Sequence, residues 1–244
     1  MRIGLAAVGF KNGNIEYNKN KMIEVINNYR SKADLIVFGE AFLQGFDALC
    51  FDYEIDKVIA IKNDDLVINE IKDAAKINKI GISFGYFEKD GNYLYSSQMT
   101  INKNGEIIDV FRRVSPGWKE HYASSFYKEG NNFHLFRYNG LSISVGLCGD
   151  MWDNENTNKM KKLAPDIVLW PVYTDYNFKE WNNHIKYEYA AQSKLFADKV
   201  LLVNSVCLDK NEIDTSKGGA IYFEKGIIKS EIKAGEENIL LVNF

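Results

Sequence analysis

The order of apolar and polar positions divides the chain into alternating elements. Residues 3–8 form an uninterrupted apolar run that stops at Gly9 and the turn-like Lys11-Asn12-Gly13-Asn14, which predicts a buried strand. Residues 18–32 place Met22, Ile23, Val25, Ile26 and Tyr29 at helical spacing. A second strand is predicted at 35–38, a helix at 65–78 with Leu66, Ile68, Ile71, Ala74, Ala75 and Ile77 on one face, and a third strand at 81–87. Hairpins follow. Strands at 93–102 and 106–113 are joined through Asn104-Gly105, and strands at 133–138 and 141–147 through Asn139-Gly140, both strong turn pairs. Between the hairpins lies a loop at 114–132, rich in aromatic and charged residues. A helix at 155–164, a strand at 167–170, a helix at 179–197 and a strand at 200–206 come next. Closing strands are predicted at 219–223, 227–233 and 239–244. The pattern is α/β, with βαβ units, sheet inside and helices outside.

Composition narrows the class. The 244 residues contain only three prolines and no Gly/Ser-rich or single-sign run, so a single domain over 1–244 is expected. A net charge of −3 with scattered basic residues gives no electrostatic reason for nucleic acid. No apolar stretch approaches the roughly 20 residues that span a bilayer, so no membrane partner is expected. The first residues read as a strand rather than a signal peptide. Cys50, Cys148 and Cys207 are odd in number and widely spaced, which points away from a disulfide framework and toward a reducing cytoplasm. No CxxC or HxxxH pair is present, and His121, His134 and His184 lie far apart, so no metal site is expected.

The chemistry concentrates at two strand ends. Cys148 follows the apolar run Leu141-Ser142-Ile143-Ser144-Val145-Gly146-Leu147 and precedes Gly149-Asp150. A thiol at the tip of a buried strand is well placed as a nucleophile, and the backbone N–H of Gly149 suits a developing oxyanion. Glu40 ends Leu35-Ile36-Val37-Phe38-Gly39-Glu40 in the same manner. α/β folds place ligands at such carboxyl ends. A thiol needs a base or a nearby cation to attack. Glu40 is the candidate base, and the candidate cations lie in Phe111-Arg112-Arg113-Val114-Ser115-Pro116-Gly117-Trp118-Lys119-Glu120. Taken singly, Cys148 reads as a core cysteine, Glu40 as a strand-end charge and Lys119-Glu120 as a solvated pair. Their setting favours function for the first two.

These segments resemble the nitrilase superfamily of carbon–nitrogen hydrolases. Phe38-Gly39-Glu40-Ala41-Phe42-Leu43-Gln44-Gly45-Phe46 is similar to the family's F-P-E-x-F-L-x-G-Y block, and Val145-Gly146-Leu147-Cys148-Gly149-Asp150 to its nucleophile block. Residues 103–113 resemble the segment that supplies its lysine. Leu163-Ala164-Pro165-Asp166-Ile167-Val168-Leu169-Trp170-Pro171 resembles the run after the nucleophile. The blocks occur in the family's order over nearly the whole chain. The resemblance implies a four-layer αββα sandwich, often a homodimer, with a Glu-Lys-Cys triad. It implies cofactor-free hydrolysis of a small amide or N-carbamoyl compound through an acyl-thioester. Nitrile hydrolysis and a catalytically silent binding protein are the alternatives. The family lysine falls on Arg113, and the shortened loop makes Lys119 the preferred substitute, with Glu120 as the second glutamate. The last predicted strand lies at 239–244, so the C-terminal extension that some family dimers exchange is not expected.

Overall fold

A computed structural model describes residues 1–209 and 215–244. Two six-stranded sheets stack face to face. The first is ordered β14-β1-β3-β4-β5-β6, from strands β1 (Arg2–Ala7), β3 (Leu35–Phe38), β4 (Gly81–Asp90), β5 (Tyr93–Ile101), β6 (Ile107–Arg112) and β14 (Asn238–Asn243). The second is ordered β13-β12-β10-β9-β8-β7, from β7 (Phe136–Tyr138), β8 (Leu141–Val145), β9 (Ile167–Val172), β10 (Lys199–Asn204), β12 (Ala220–Glu224) and β13 (Ile227–Ile232). A two-stranded bridge of β2 (Gly9–Phe10) and β11 (Val206–Cys207) ties their ends together.

Side-chain alternation explains the layers. Along β1 and β3, Ile3, Leu5, Ala7, Leu35 and Val37 face the second sheet and pack with Val145, Leu202 and Ile221. The intervening Ala6, Val8, Ile36 and Phe38 face outward onto Met22 and Ile26 of α1 (Ile15–Tyr29) and onto Ile71 and Ala75 of α3 (Leu66–Asn78). The second sheet is covered by α4 (Asn154–Leu163) and by a helical run. That run starts at α5 (Phe178–Glu180), passes through a π-helical turn at Trp181–Ile185 and ends as α6 (Lys186–Phe196). Trp170 of β9 meets Tyr189 and Phe196 of α6. This is the expected αββα sandwich. No helix among the described residues is long and apolar enough to cross a membrane.

Several boundaries move for physical reasons. Helix α1 begins at Ile15 rather than 18, because Asn14 caps it by accepting from the Tyr17 N–H. Strand β9 runs past Trp170 through Pro171 to Val172, in parallel register with β10. The hairpin strand predicted at 133–138 is confined to Phe136–Tyr138. An additional helix, α2 (Tyr53–Ile59), is capped by Asp52 and anchored by the buried Asp56 carboxylate, which accepts from the Cys50 and Phe51 N–H groups and from the Tyr127 hydroxyl.

Candidate active site

Glu40 leaves the end of β3 in a turn clamped onto β4. The Gly85 N–H donates to the Gly39 carbonyl at 3.2 Å, and the Leu43 N–H donates to the Gly85 carbonyl at 3.0 Å. A Cβ at residue 85 would stand 2.2 Å from the Ala41 nitrogen, so only glycine permits this approach. The Gln44 side chain then locks the turn to β4 by accepting from the Phe87 N–H and donating to its carbonyl. The Glu40 carboxylate is thereby held fully buried. Its Oε1 accepts from Arg113 Nη1 at 2.8 Å and from the Ser96 hydroxyl at 3.2 Å, while Oε2 has no hydrogen-bond partner among the described residues.

Arg113 is the first residue past β6, and its side chain is 3% exposed. Nε donates to Ser115 Oγ at 2.9 Å. Burial opposes its charge, but Glu40, Cys148 and Asp150 together outweigh burial and hold the guanidinium protonated. Nη2 sits between two glycines. A Cβ at Gly149 would be 2.8 Å from it, and a Cβ at Gly117 would be 3.2 Å away.

Cys148 occupies a left-handed turn after β8, with φ of 40°. Its carbonyl accepts from the Trp170 indole N–H at 2.9 Å, and its Sγ lies 3.4 Å from the Tyr173 carbonyl oxygen, to which it donates. Burial and the Glu40 charge push the thiol up to about 12, against the opposing pull of Arg113, so the resting group is a neutral thiol. Asp150 joins this turn to the arginine loop. One carboxylate oxygen accepts from the Val114 and Ser115 N–H groups at 3.1 and 2.7 Å, and the other accepts from Leu147 at 2.9 Å. Burial raises its carboxyl to about 6 although Arg113 and these backbone donors work the other way.

The structure therefore brings Glu40, Arg113, Cys148 and Gly149 together, and it places Lys119 and Glu120 elsewhere. Lys119 Nζ donates to the Tyr127 carbonyl at 2.7 Å and pairs with Glu129 at 2.6 Å. Glu120 is half exposed, and its carboxylate lies 3.9 Å from Nδ1 of the exposed His121 ring. The preference for Lys119 is corrected on position: neighbouring Trp118 is buried against Phe87 and Tyr127, which fixes this stretch of loop in a separate cluster. Sequence reasoning passed over the bridging role of Asp150 and the hydroxyls of Ser96 and Ser115. The Asp after Cys148-Gly149 was visible, but its backbone partners in the arginine loop lie 35 and 36 residues away.

An open cavity of about 410 Å³ lies over the thiol, floored by Cys148 and Gly149 and walled by Trp152, Tyr173, Tyr176 and Tyr189, with Asp175 and Glu188 on its side. A larger cavity of about 720 Å³ beside Glu88 and Arg112 is lined by no cysteine, serine or histidine, and its buried carboxylate is taken up by Arg112 and Ser97. Among the described residues no group of three His, Cys, Asp or Glu side chains is arranged to hold a metal.

The same arrangement of sheets recurs in solved structures. A glutamine-dependent NAD+ synthetase from Acinetobacter baumannii superposes with a TM-score of 0.82 at 21% identity, over 98% of this chain and 44% of that one. A nitrilase-superfamily amidase from Nesterenkonia AN1 superposes with a TM-score of 0.79 at 14% identity, over 100% and 90% respectively. In sequence, the chain is 25% identical to the glutamine-dependent NAD(+) synthetase of Aquifex aeolicus across its whole length, which covers 42% of that protein. It is 28% identical to the citrullinase of Francisella tularensis over 52% of this chain and 46% of that protein. The chain thus spans less than half the length of these two relatives. The carbon-nitrogen hydrolase family model matches residues 2–244, and the chain belongs to that family.

Proposed function

We propose that residues 1–244 act as one domain that hydrolyses a small amide or N-carbamoyl compound, with Cys148 as nucleophile, Glu40 as proton carrier and Arg113 as a fixed cation. The observation that carries this reading is the buried Glu40–Arg113 contact beside the thiol, with one carboxylate oxygen left unpartnered. The Nesterenkonia relative is an amidase, which favours an amide bond.

The steps follow from the charges. Cys148 rests as a thiol, so its proton passes to Glu40 as sulfur attacks the substrate carbon. The negative charge that forms on oxygen is met by the nearby guanidinium and by the Gly149 N–H. Glu40 then gives the proton to the departing nitrogen, the C–N bond breaks, and an acyl-thioester remains. Water attacks that thioester while Glu40 accepts its proton; the C–S bond then breaks, Glu40 returns the proton to the departing sulfur, and the acid leaves with the free thiol and the Glu40 carboxylate restored. Arginine keeps its proton throughout, so Arg113 stabilises charge and holds Glu40 but carries no proton. The small-molecule substrate is the only partner this chemistry requires.

The test is release of ammonia or amine from a panel of small amides, ureido acids and nitriles. The expected result is release from amides or ureido compounds that disappears in Cys148→Ala. Release from nitriles alone would reassign the bond type, and no release from any of them by folded protein would remove the hydrolase reading.

A further inference from the structure

The cavity over Cys148 has a neighbour. A second cavity of about 200 Å³ takes an apolar side from Phe46, Leu49, Phe51 and Trp118. Of its charged members, Asp47 is engaged by Tyr173 and Lys119 by Glu129, and Glu120 is half exposed. The linings of the two cavities meet. Gly149 of the first and Gly117 of the second flank the same atom, Arg113 Nη2, which a Cβ on either glycine would approach to 2.8 and 3.2 Å. Tyr173 of the first stacks on Phe46 of the second, with ring centroids 4.4 Å apart and planes 7° from parallel. The Tyr173 hydroxyl donates to Asp47 of the second at 2.5 Å. The partition between the two spaces therefore consists of the guanidinium, two stacked rings and one hydrogen bond. It is registered on the nucleophile, because the Tyr173 carbonyl accepts from Cys148 Sγ. The Tyr173 ring also meets the buried Phe10 edge-on, which fixes it from the side of the sheets.

Resting on the amide-hydrolase reading, we propose that Tyr173 is a specificity-determining residue: pinned by Asp47 and backed by Phe46, its ring closes the cavity over the thiol toward the aromatic one and excludes acyl groups that end in an aryl ring. Small aliphatic acyl groups fit on the near side of the partition. Once the ring is removed the two spaces join, and an aryl end has Phe46, Phe51 and Trp118 to pack against. The backbone carbonyl that faces the thiol is present whatever the side chain at 173, so a substitution there changes the ranking of substrates and leaves that contact in place.

The experiment ranks butyramide against 3-phenylpropionamide. Wild type is expected to show a kcat/KM at least about tenfold lower for the aryl amide, within the range that fit to an apolar pocket supplies. Tyr173→Ala is expected to shift the ratio toward the aryl amide by about tenfold or more. Asp47→Ala, at an exposed position, unpins the ring without deleting it and is expected to shift the ratio the same way by a smaller factor. Leu49→Phe fills the second cavity and is expected to cancel the gain in the Tyr173→Ala background. A wild type without the preference, an unshifted ratio in either single variant, or a gain that survives Leu49→Phe overturns this inference and leaves the hydrolase reading intact. A second readout does not need turnover: the rate at which Cys148 is modified by methyl and by benzyl methanethiosulfonate, followed by peptide mass. Relative to unfolded protein, the benzyl reagent is expected to be disfavoured by about tenfold in wild type and to recover in Tyr173→Ala. If no amide is hydrolysed, the hydrolase reading fails by itself, and a wild-type rate ratio equal to that of unfolded protein overturns the partition as well.

Discussion

Nη2 of Arg113 occupies the space where a side chain on Gly149 would begin, 2.8 Å from a Cβ at that position. The residue that follows the nucleophile is therefore matched to the size of the cation. Gly149→Ala should push the guanidinium off Glu40 and lower kcat/KM at least about tenfold, in line with an overpacking strain of roughly 1–3 kcal/mol. Arg113→Lys, with its slimmer head group, should recover activity in the Gly149→Ala background. Steady-state kinetics of the single and double variants checks this, and a double variant no better than Gly149→Ala would refute the match.

Arg113 and Lys119 should separate cleanly. Arg113→Met strands the buried Glu40 charge, so it should abolish measurable turnover and cost about 3–5 kcal/mol of stability. Lys119→Met removes a partly exposed pair with Glu129 and a hydrogen bond to the Tyr127 carbonyl, together worth roughly 1–2 kcal/mol, and should leave kcat/KM within about twofold. Denaturant melts and kinetics on both variants decide it, and a larger loss of activity in Lys119→Met would return the catalytic cation to Lys119.

Cys148 should alkylate slowly near neutral pH. Burial and Glu40 push its thiol up to about 12, so the thiolate is scarce and the iodoacetamide rate should climb with pH, without a plateau, through pH 9. Rates taken on the Cys148 peptide would show this. A plateau below pH 8 would mean a resting thiolate and a different proton inventory for the attack.

Asp150 ties stability to pH. Its carboxyl titrates near about 6 in the fold against an ordinary 3.8, so the folded state holds the proton more tightly than the unfolded chain. The stability this adds is full below the unfolded value and is lost as pH rises through the folded one, to a limit of about 3 kcal/mol. Asp150→Asn cannot titrate. The melting-temperature gap between wild type and variant should therefore shrink from pH 4 to pH 7, and a gap that stays constant would contradict the shift.

Which parts of the site were legible in sequence depended on range. Glu40 and Cys148 each end an apolar strand inside a short recognisable block, so their local pattern carried their position. The choice of cation was not local. Arg113 and Lys119 are six residues apart, and only the exit of β6 beside Ser96, whose carbonyl accepts from the Arg113 N–H at 2.8 Å, turns the first inward. The burial of Trp118 turns the second away. The main strands were readable because their buried faces demand apolar runs, as at Leu35–Phe38. Helix α2 was not. Ile55 and Val58 on it are exposed, and it is held by the polar contacts of Asp56, which no apolar periodicity reveals.

The most direct test of a Cys148 acyl-thioester is transfer of the acyl group to hydroxylamine, with hydroxamate formed from a cleaved amide as the readout. Wild type should form hydroxamate in competition with acid, and Cys148→Ser should form none while remaining folded. Hydroxamate formed at the wild-type rate by Cys148→Ser, or amide cleaved with no hydroxamate at any hydroxylamine concentration, would contradict a covalent intermediate on this residue.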